Sequence, residues 1–111
     1  AWVGDELVGA VALEFSVRPK TRHKARLIGL YVRASGRGRG AGRALVAALL
    51  DAARRRPGLR AVTLTVTEGN GPAVALYEAM GFEVFGVEPL AMRSRDGFKA
   101  KVHMWRDLDA P

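Results

Sequence analysis

Leu30-Tyr31-Val32-Arg33-Ala34-Ser35-Gly36-Arg37-Gly38-Arg39-Gly40-Ala41-Gly42 is the stretch on which the fold turns. Leu30, Tyr31 and Val32 close an apolar run of strand character. Glycine then holds every second position from Gly36 to Gly42, with Arg37 and Arg39 among them, and Arg43 opens an Ala/Leu-rich pattern of helical period. A strand, a glycine-rich turn and a helix N-terminus together form an anion cradle. Glycine lets the backbone approach a ligand closely. The first N–H groups of a helix have no partner within it, and the helix dipole adds partial positive charge there. Phosphate suits such a place.

Two common phosphate fingerprints fail on this stretch. A P-loop needs Gly-Lys-Ser/Thr at its end, whereas Gly42 is followed by Arg43 and Ala44. A dinucleotide turn needs glycines two and then three apart, and these are evenly spaced by two. The pattern that fits is Arg37-x-x-Gly40-x-Gly42. An arginine–glycine tract that binds RNA is the other reading. Such tracts are usually disordered, and this one lies between two well-patterned elements.

A second motif lies downstream. Asn70 is followed by Ala73 three residues on, Leu76-Tyr77 six and seven on, and Gly81-Phe82 eleven and twelve on. With the first motif it resembles the GNAT N-acetyltransferase superfamily, in which Arg-x-x-Gly-x-Gly grips the pyrophosphate of acetyl-coenzyme A. The match spans residues 30 to 82. The hairpin before it and the strand pair after it agree in pattern only.

The resemblance implies an α/β (α+β) fold, with a mostly antiparallel sheet flanked by helices. It implies cofactor contacts from Leu30, Tyr31 and Val32 through backbone groups on a strand splayed from its neighbour. Further contacts are expected from Arg37, Gly38, Arg39, Gly40, Ala41, Gly42 and Arg43 at the turn, and from Asn70, Ala73 and Tyr77. Tyr77 matches the family's general acid, which protonates the leaving thiolate, and a phenol near pKa 10 suits that task. Ala73, Leu76, Tyr77 and Met80 also share the spacing of a buried helix face, so packing is the competing role. The motif match favours the acid. Asn70 either caps a helix or bonds the pantetheine arm. Its side chain is expected to serve one role rather than both, with cofactor binding preferred.

The general base is open. Some relatives use a glutamate five residues before the asparagine, but Thr65 stands there. Glu14 and Glu68 are candidates by placement and His23 by chemistry. His103, on the polar face of the last strand, is a weaker option, and a water chain is another. No cluster of His, Asp and Glu has metal-ligand spacing, so no metal is expected.

The bulk properties bound this reading. At 111 residues the chain favours one domain, and 49% hydrophobic residues can furnish a core. No apolar run approaches the roughly 20 residues of a membrane span, so no membrane partner is expected. Absence of cysteine excludes disulfides, a thiolate metal site and a cysteine nucleophile, and is compatible with the expected cytoplasmic location. A net charge of +7 favours acidic partners such as coenzyme A or nucleic acid. Arg54-Arg55-Arg56 suits a solvated helix end, where cations complement the dipole. The chain starts without methionine, almost inside a strand, so an N-terminal strand and helices are expected to precede residue 1.

Periodicity places strands at Ala1–Val3, Leu7–Ser16, Ala25–Val32, Ala61–Val66, Phe82–Val87 and from Lys99 to Trp105. It places helices from Ala41 to Arg56 and after Asn70, the second with Pro72 in its first turn and Gly81 past its end. The expected order is β-β-β-α-β-α-β-β. In the first helix Leu45, Leu49, Ala52 and Arg56 form one stripe, with Val46, Leu50 and Ala53 beside it. The function expected is acetyl transfer from acetyl-coenzyme A to a primary amine, directly in a ternary complex. A silent coenzyme A-binding module of the same fold and a basic nucleic-acid binder are the rivals. The acceptor amine is not readable, and a homodimer remains open.

Overall fold

The computed structural model describes residues 2–3, 6–7, 9–32 and 40–109. Among the described residues, strands β1 (Trp2–Val3) and β2 (Glu6–Leu7) pair only with each other. A five-stranded sheet is built from β3 (Gly9–Phe15), β4 (Lys24–Val32), β5 (Ala61–Thr67), β6 (Glu83–Ser94) and β7 (Gly97–Asp107) in the order β3-β4-β5-β7-β6. Helix α1 (Ala41–Arg54) joins β4 to β5, and α2 (Gly71–Ala79) joins β5 to β6. Only β4 and β5 run parallel; the other neighbours are antiparallel. The mostly antiparallel sheet expected from the sequence is therefore present. The order carries one more strand than expected, because the single strand envisaged over Leu7–Ser16 is divided between β2 and β3.

The last two strands are longer than their alternation suggested. They form a hairpin closed near Asp96 and Gly97, with Ser94 Oγ donating to the Gly97 carbonyl at 3.1 Å. Pro89 lies in an irregularity between Glu88 and Met92, where three residues of β6 stand against one of β7. An edge strand accommodates proline at such a bulge because no ladder N–H is required of it. Leu90, at φ 50°, takes up the bend.

The core lies on one face of the sheet. Val62, Leu64 and Val66 of β5 point into it, while Thr63, Thr65 and Thr67 alternate to the other face. Both helices contribute to the same apolar cluster, α1 through Val46, Leu49, Leu50 and Ala53, and α2 through Tyr77. The buried stripe of α1 is thus centred on Val46 and Ala53 rather than on Leu45 and Ala52; Ala52 and Arg56 are exposed. No described helix is long and apolar enough to cross a membrane.

The end of α2 explains the spacing of its motif. Gly81, at φ 90°, follows the helix and donates its N–H to the Glu78 carbonyl at 3.0 Å. The Phe82 N–H reaches the Tyr77 carbonyl at 2.9 Å. These two bonds form a Schellman motif, with its usual apolar contact. Here that contact is the edge-to-face pair of Tyr77 and Phe82, with ring centroids 5.7 Å apart. Tyr77, Gly81 and Phe82 therefore fix the exit of the helix, and with it the orientation of Tyr77.

Candidate active site

β4 and β5 are held together only at Lys24↔Ala61, Ala25↔Val62 and Arg26↔Thr63. Beyond those pairs they part. β5 stays paired to β7 along its whole length on its other side, from Ala61↔Asp107 to Thr67↔Lys101. β4 stays on β3, but with a bulge that sets Gly29 and Leu30 against Val11 alone. Gly29 has φ +66°. A bulge with a left-handed glycine bends and twists its strand, which turns β4 away from β5.

The parting opens a cleft of about 900 Å³. Residues 26–30 form one wall and residues 65–67 the other, with Asn70, Ala73 and Tyr77 of the α2 region and Lys101 completing it. The splay expected beside Leu30, Tyr31 and Val32 is present, and Leu30 lines the cleft; the side chains of Tyr31 and Val32 lie outside the described residues. Arg37, Gly38 and Arg39 also lie outside them. Gly40 is the N-cap of α1 at φ 74°, and the Ala44 N–H closes the first helical turn on its carbonyl at 2.9 Å. Among the described residues no side chain caps this helix, and no acidic residue stands in its first turn. The backbone N–H groups of Ala41, Gly42 and Arg43 thus precede the first helical hydrogen bond, as an anion-binding helix start requires.

Tyr77 is buried, with 5% of its surface exposed, yet it lines the cleft. Burial pushes its phenol above the usual 10.0, so the proton stays on the oxygen at neutral pH. The two roles weighed for it are therefore compatible: the ring packs in the core while the residue borders the cleft. The Asn70 Oδ1 accepts the Ala73 N–H at 3.2 Å, which caps α2, and the residue also lines the cleft. The cap uses the amide oxygen and leaves the two Nδ2 donors to a ligand. Of the two roles weighed for Asn70, the structure shows the cap.

The candidate bases are scattered. Glu14 faces Arg26 across β3 and β4 at 3.3 Å, with more than half of each side chain exposed. Glu68 is clasped to β7: its Oε1 accepts the Ala100 N–H at 2.8 Å, and its own N–H reaches the Ala100 carbonyl at 3.0 Å. Neither glutamate is part of the cleft lining, and neither is His103. His23 lies at the end where β4 and β5 are still paired, and its carbonyl receives the N–H groups of Arg60 and Ala61. It borders a separate recess with Phe85 and Trp105. His103 stands on β7 directly opposite Thr65, and its Nε2 is 3.0 Å from Glu88 Oε1.

Sequence reasoning did not single out Arg26, Thr67 or Lys101, all of which line the cleft. For Lys101 the visible signal was the alternation of Lys99, Lys101 and His103 on one face of the last strand. At the opposite end of β5, beside the His23 recess, Arg60 grips Asp107 through two bonds, Nε to Oδ1 at 2.7 Å and Nη2 to Oδ2 at 3.1 Å. The Arg60 hydrogen bonds hold the Asp107 carboxyl down at about 2, assisted by the Asp109 N–H. This clamp ties the start of β5 to the end of β7.

A cleft of this size, an uncapped helix start following β4, and a protonated phenol beside the cleft fit a thioester of coenzyme A. Known proteins agree with the architecture. Residues 1–82 match the model of the acetyltransferase (GNAT) family. The L-methionine sulfoximine/L-methionine sulfone acetyltransferase of Pseudomonas aeruginosa is 37% identical over 60 residues. That stretch is 54% of this chain and 34% of the relative, so the match spans about a third of the curated protein's length. The ribosomal-protein-alanine N-acetyltransferase of Brucella melitensis superposes with a TM-score of 0.86 at 27% identity, over 96% of this chain and 65% of that one. The protein yncA of Salmonella typhimurium, whose structure holds its cofactor acetyl-CoA, superposes with a TM-score of 0.82 at 23% identity, over 94% and 60% of the two chains. With residues 1–82 matched by that model and the fold shared with these structures, the chain belongs to the GNAT family of acetyltransferases.

Proposed function

We propose that this domain transfers an acetyl group from acetyl-coenzyme A to a primary amine, directly and within a ternary complex. The observation that carries this is the cleft made by the parting of β4 and β5, with the buried Tyr77 in its lining. When bound, acetyl-coenzyme A supplies an activated acyl group whose thiol is the leaving group. The facing edge of β4 from Leu27 to Leu30 offers backbone groups to an extended arm, as an added strand would use them. The N–H groups at the start of α1 receive the pyrophosphate, aided by Arg43 and by the arginines of the preceding turn. Asn70 offers its Nδ2 donors to the arm. Tyr77 gives its proton to the departing thiolate. The absence of cysteine removes the usual carrier of an acyl-enzyme intermediate and favours direct transfer.

The relatives' acceptors, methionine sulfoximine or sulfone and an alanine of a ribosomal protein, each belong to amino-acid chemistry. L-methionine sulfone and an alanine-terminated peptide are therefore the first amines to test. Thiol release from acetyl-coenzyme A that depends on either amine supports the proposal. Tight binding of acetyl-coenzyme A without turnover on any amine would instead identify a silent binding module. Steeply salt-dependent nucleic-acid binding that coenzyme A leaves unchanged would favour the nucleic-acid rival.

A further inference from the structure

The face of the sheet opposite the helices carries the threonines of β5 and, beside them on β7, Lys101, His103 and Trp105. Among the described residues no helix packs on this face. His103 stands opposite Thr65, one wall of that cleft. Directly opposed residues on neighbouring strands have Cβ atoms about 4.5–5.5 Å apart and project to the same side. His103 is therefore one strand spacing from the cleft wall, and it is half-buried rather than free in solvent.

Its surroundings give the imidazole a direction. Glu88 Oε1 lies 3.0 Å from Nε2, and the Phe85 ring is 5.9 Å from the imidazole, centroid to centroid. A carboxylate on Nε2 favours the proton there and leaves Nδ1 as the acceptor. The charged groups sharing this face are Glu14 on β3, Lys24 and Arg26 on β4, Glu83 and Glu88 on β6, and Lys99, Lys101 and Asp107 on β7; β5 presents Ala61 and its threonines. Glu14, Glu68 and His23, by contrast, are respectively paired to Arg26, bonded to β7 and placed at the closed end of the strands.

We propose that His103, oriented by Glu88, is the base that takes the proton from the acceptor amine; this inference rests on the acetyltransferase reading above. Nδ1 removes one proton from the ammonium, and the freed nitrogen lone pair forms the bond to the acetyl carbon. The C–S bond breaks with its electron pair on sulfur, which takes a proton from Tyr77. The second proton of the nitrogen leaves to water, Tyr77 regains a proton from water, and the imidazolium returns its own. The products are the N-acetyl amine, free thiol and one proton.

The test is thiol release as a function of pH at saturating acetyl-coenzyme A, with L-methionine sulfone and an alanine-terminated peptide as probe amines. Wild type, His103→Gln, His103→Ala and Glu88→Gln are compared. His103→Gln should lower kcat/KM for the amine by about 10²–10⁴-fold near neutral pH, with acetyl-coenzyme A affinity unchanged. The deficit should shrink at alkaline pH, where the amine is already free. Added imidazole should restore part of the rate in His103→Ala, which a merely structural residue would not allow. Glu88→Gln, a positioning change, should lower kcat/KM for the amine by a smaller factor, with acetyl-coenzyme A affinity unchanged. A His103→Gln protein with the wild-type profile and rate overturns the assignment and leaves a water chain as the base. A wild type that binds acetyl-coenzyme A yet acetylates neither probe contradicts the acetyltransferase reading itself, and this inference falls with it.

Discussion

Replacing Tyr77 by phenylalanine removes one oxygen and leaves the ring. That ring has 5% of its surface exposed and meets Phe82 edge to face at 5.7 Å. Its packing survives the change, so stability should move by no more than about 1 kcal/mol, the net scale of one hydrogen bond. Activity should respond differently. Burial pushes the phenol above its usual 10.0, so at neutral pH nearly every molecule carries the proton that the thiolate needs, and the loss is not diluted by an ionised fraction. For the same reason any stability linked to this group is intact below pH 10 and is lost only as the pH rises through its folded value. Removing a general acid costs about 10²–10⁴ in rate, which corresponds to about 2.7–5.4 kcal/mol of transition-state free energy. The affinity for acetyl-coenzyme A should stay within twofold, because the backbone of β4 and the start of α1 are untouched. Thiol release and a melting curve on the same preparation decide the matter. Near-normal turnover in a folded Tyr77→Phe protein refutes the acid role.

Three further outcomes follow from the geometry. Gly40→Val places a β-branched residue at φ 74° with open space around it; stability should fall by about 1–2 kcal/mol, while calorimetry should record a loss of acetyl-coenzyme A binding at the start of α1. Gly81→Ala puts a Cβ 2.8 Å from Arg106 Nε at φ +90°, so the melting midpoint should drop by an amount equivalent to about 2–3 kcal/mol, and an unchanged midpoint would contradict the tight exit of α2. The Asp107 carboxyl, held at about 2 against its usual 3.8, contributes stability that is complete above pH 3.8 and is lost as the pH falls towards 2. Acid titration of Asp107→Asn should lack that portion of the wild-type decline.

Local chemistry made much of this legible. Asn70, Pro72, Gly81 and Phe82 announce a capped, sharply ended helix, and the structure uses all four in that way. The alternation Val62, Leu64, Val66 against Thr63, Thr65, Thr67 reveals which face of β5 is buried. What the sequence hid depends on pairing between distant segments. That His103 meets Thr65 follows from the β5–β7 register, and nothing near either residue encodes it. Pro89 obscured the extent of β6, because a proline ordinarily argues against a strand and only the bulge between Glu88 and Met92 accommodates it. The cap by Asn70 was ranked second because residue type alone does not say where its amide oxygen lies relative to the Ala73 N–H.

The central claim is that the parting of β4 from β5 makes the acetyl-coenzyme A site. Backbone amide hydrogen exchange with and without acetyl-coenzyme A tests it most directly. The account predicts new protection on Leu27 to Leu30 of β4 and at Ala41 to Arg43 at the start of α1, with little change in the hairpin of β6 and β7. Protection confined to that hairpin or to the recess beside His23, with β4 exchanging as fast as in the free protein, would contradict it.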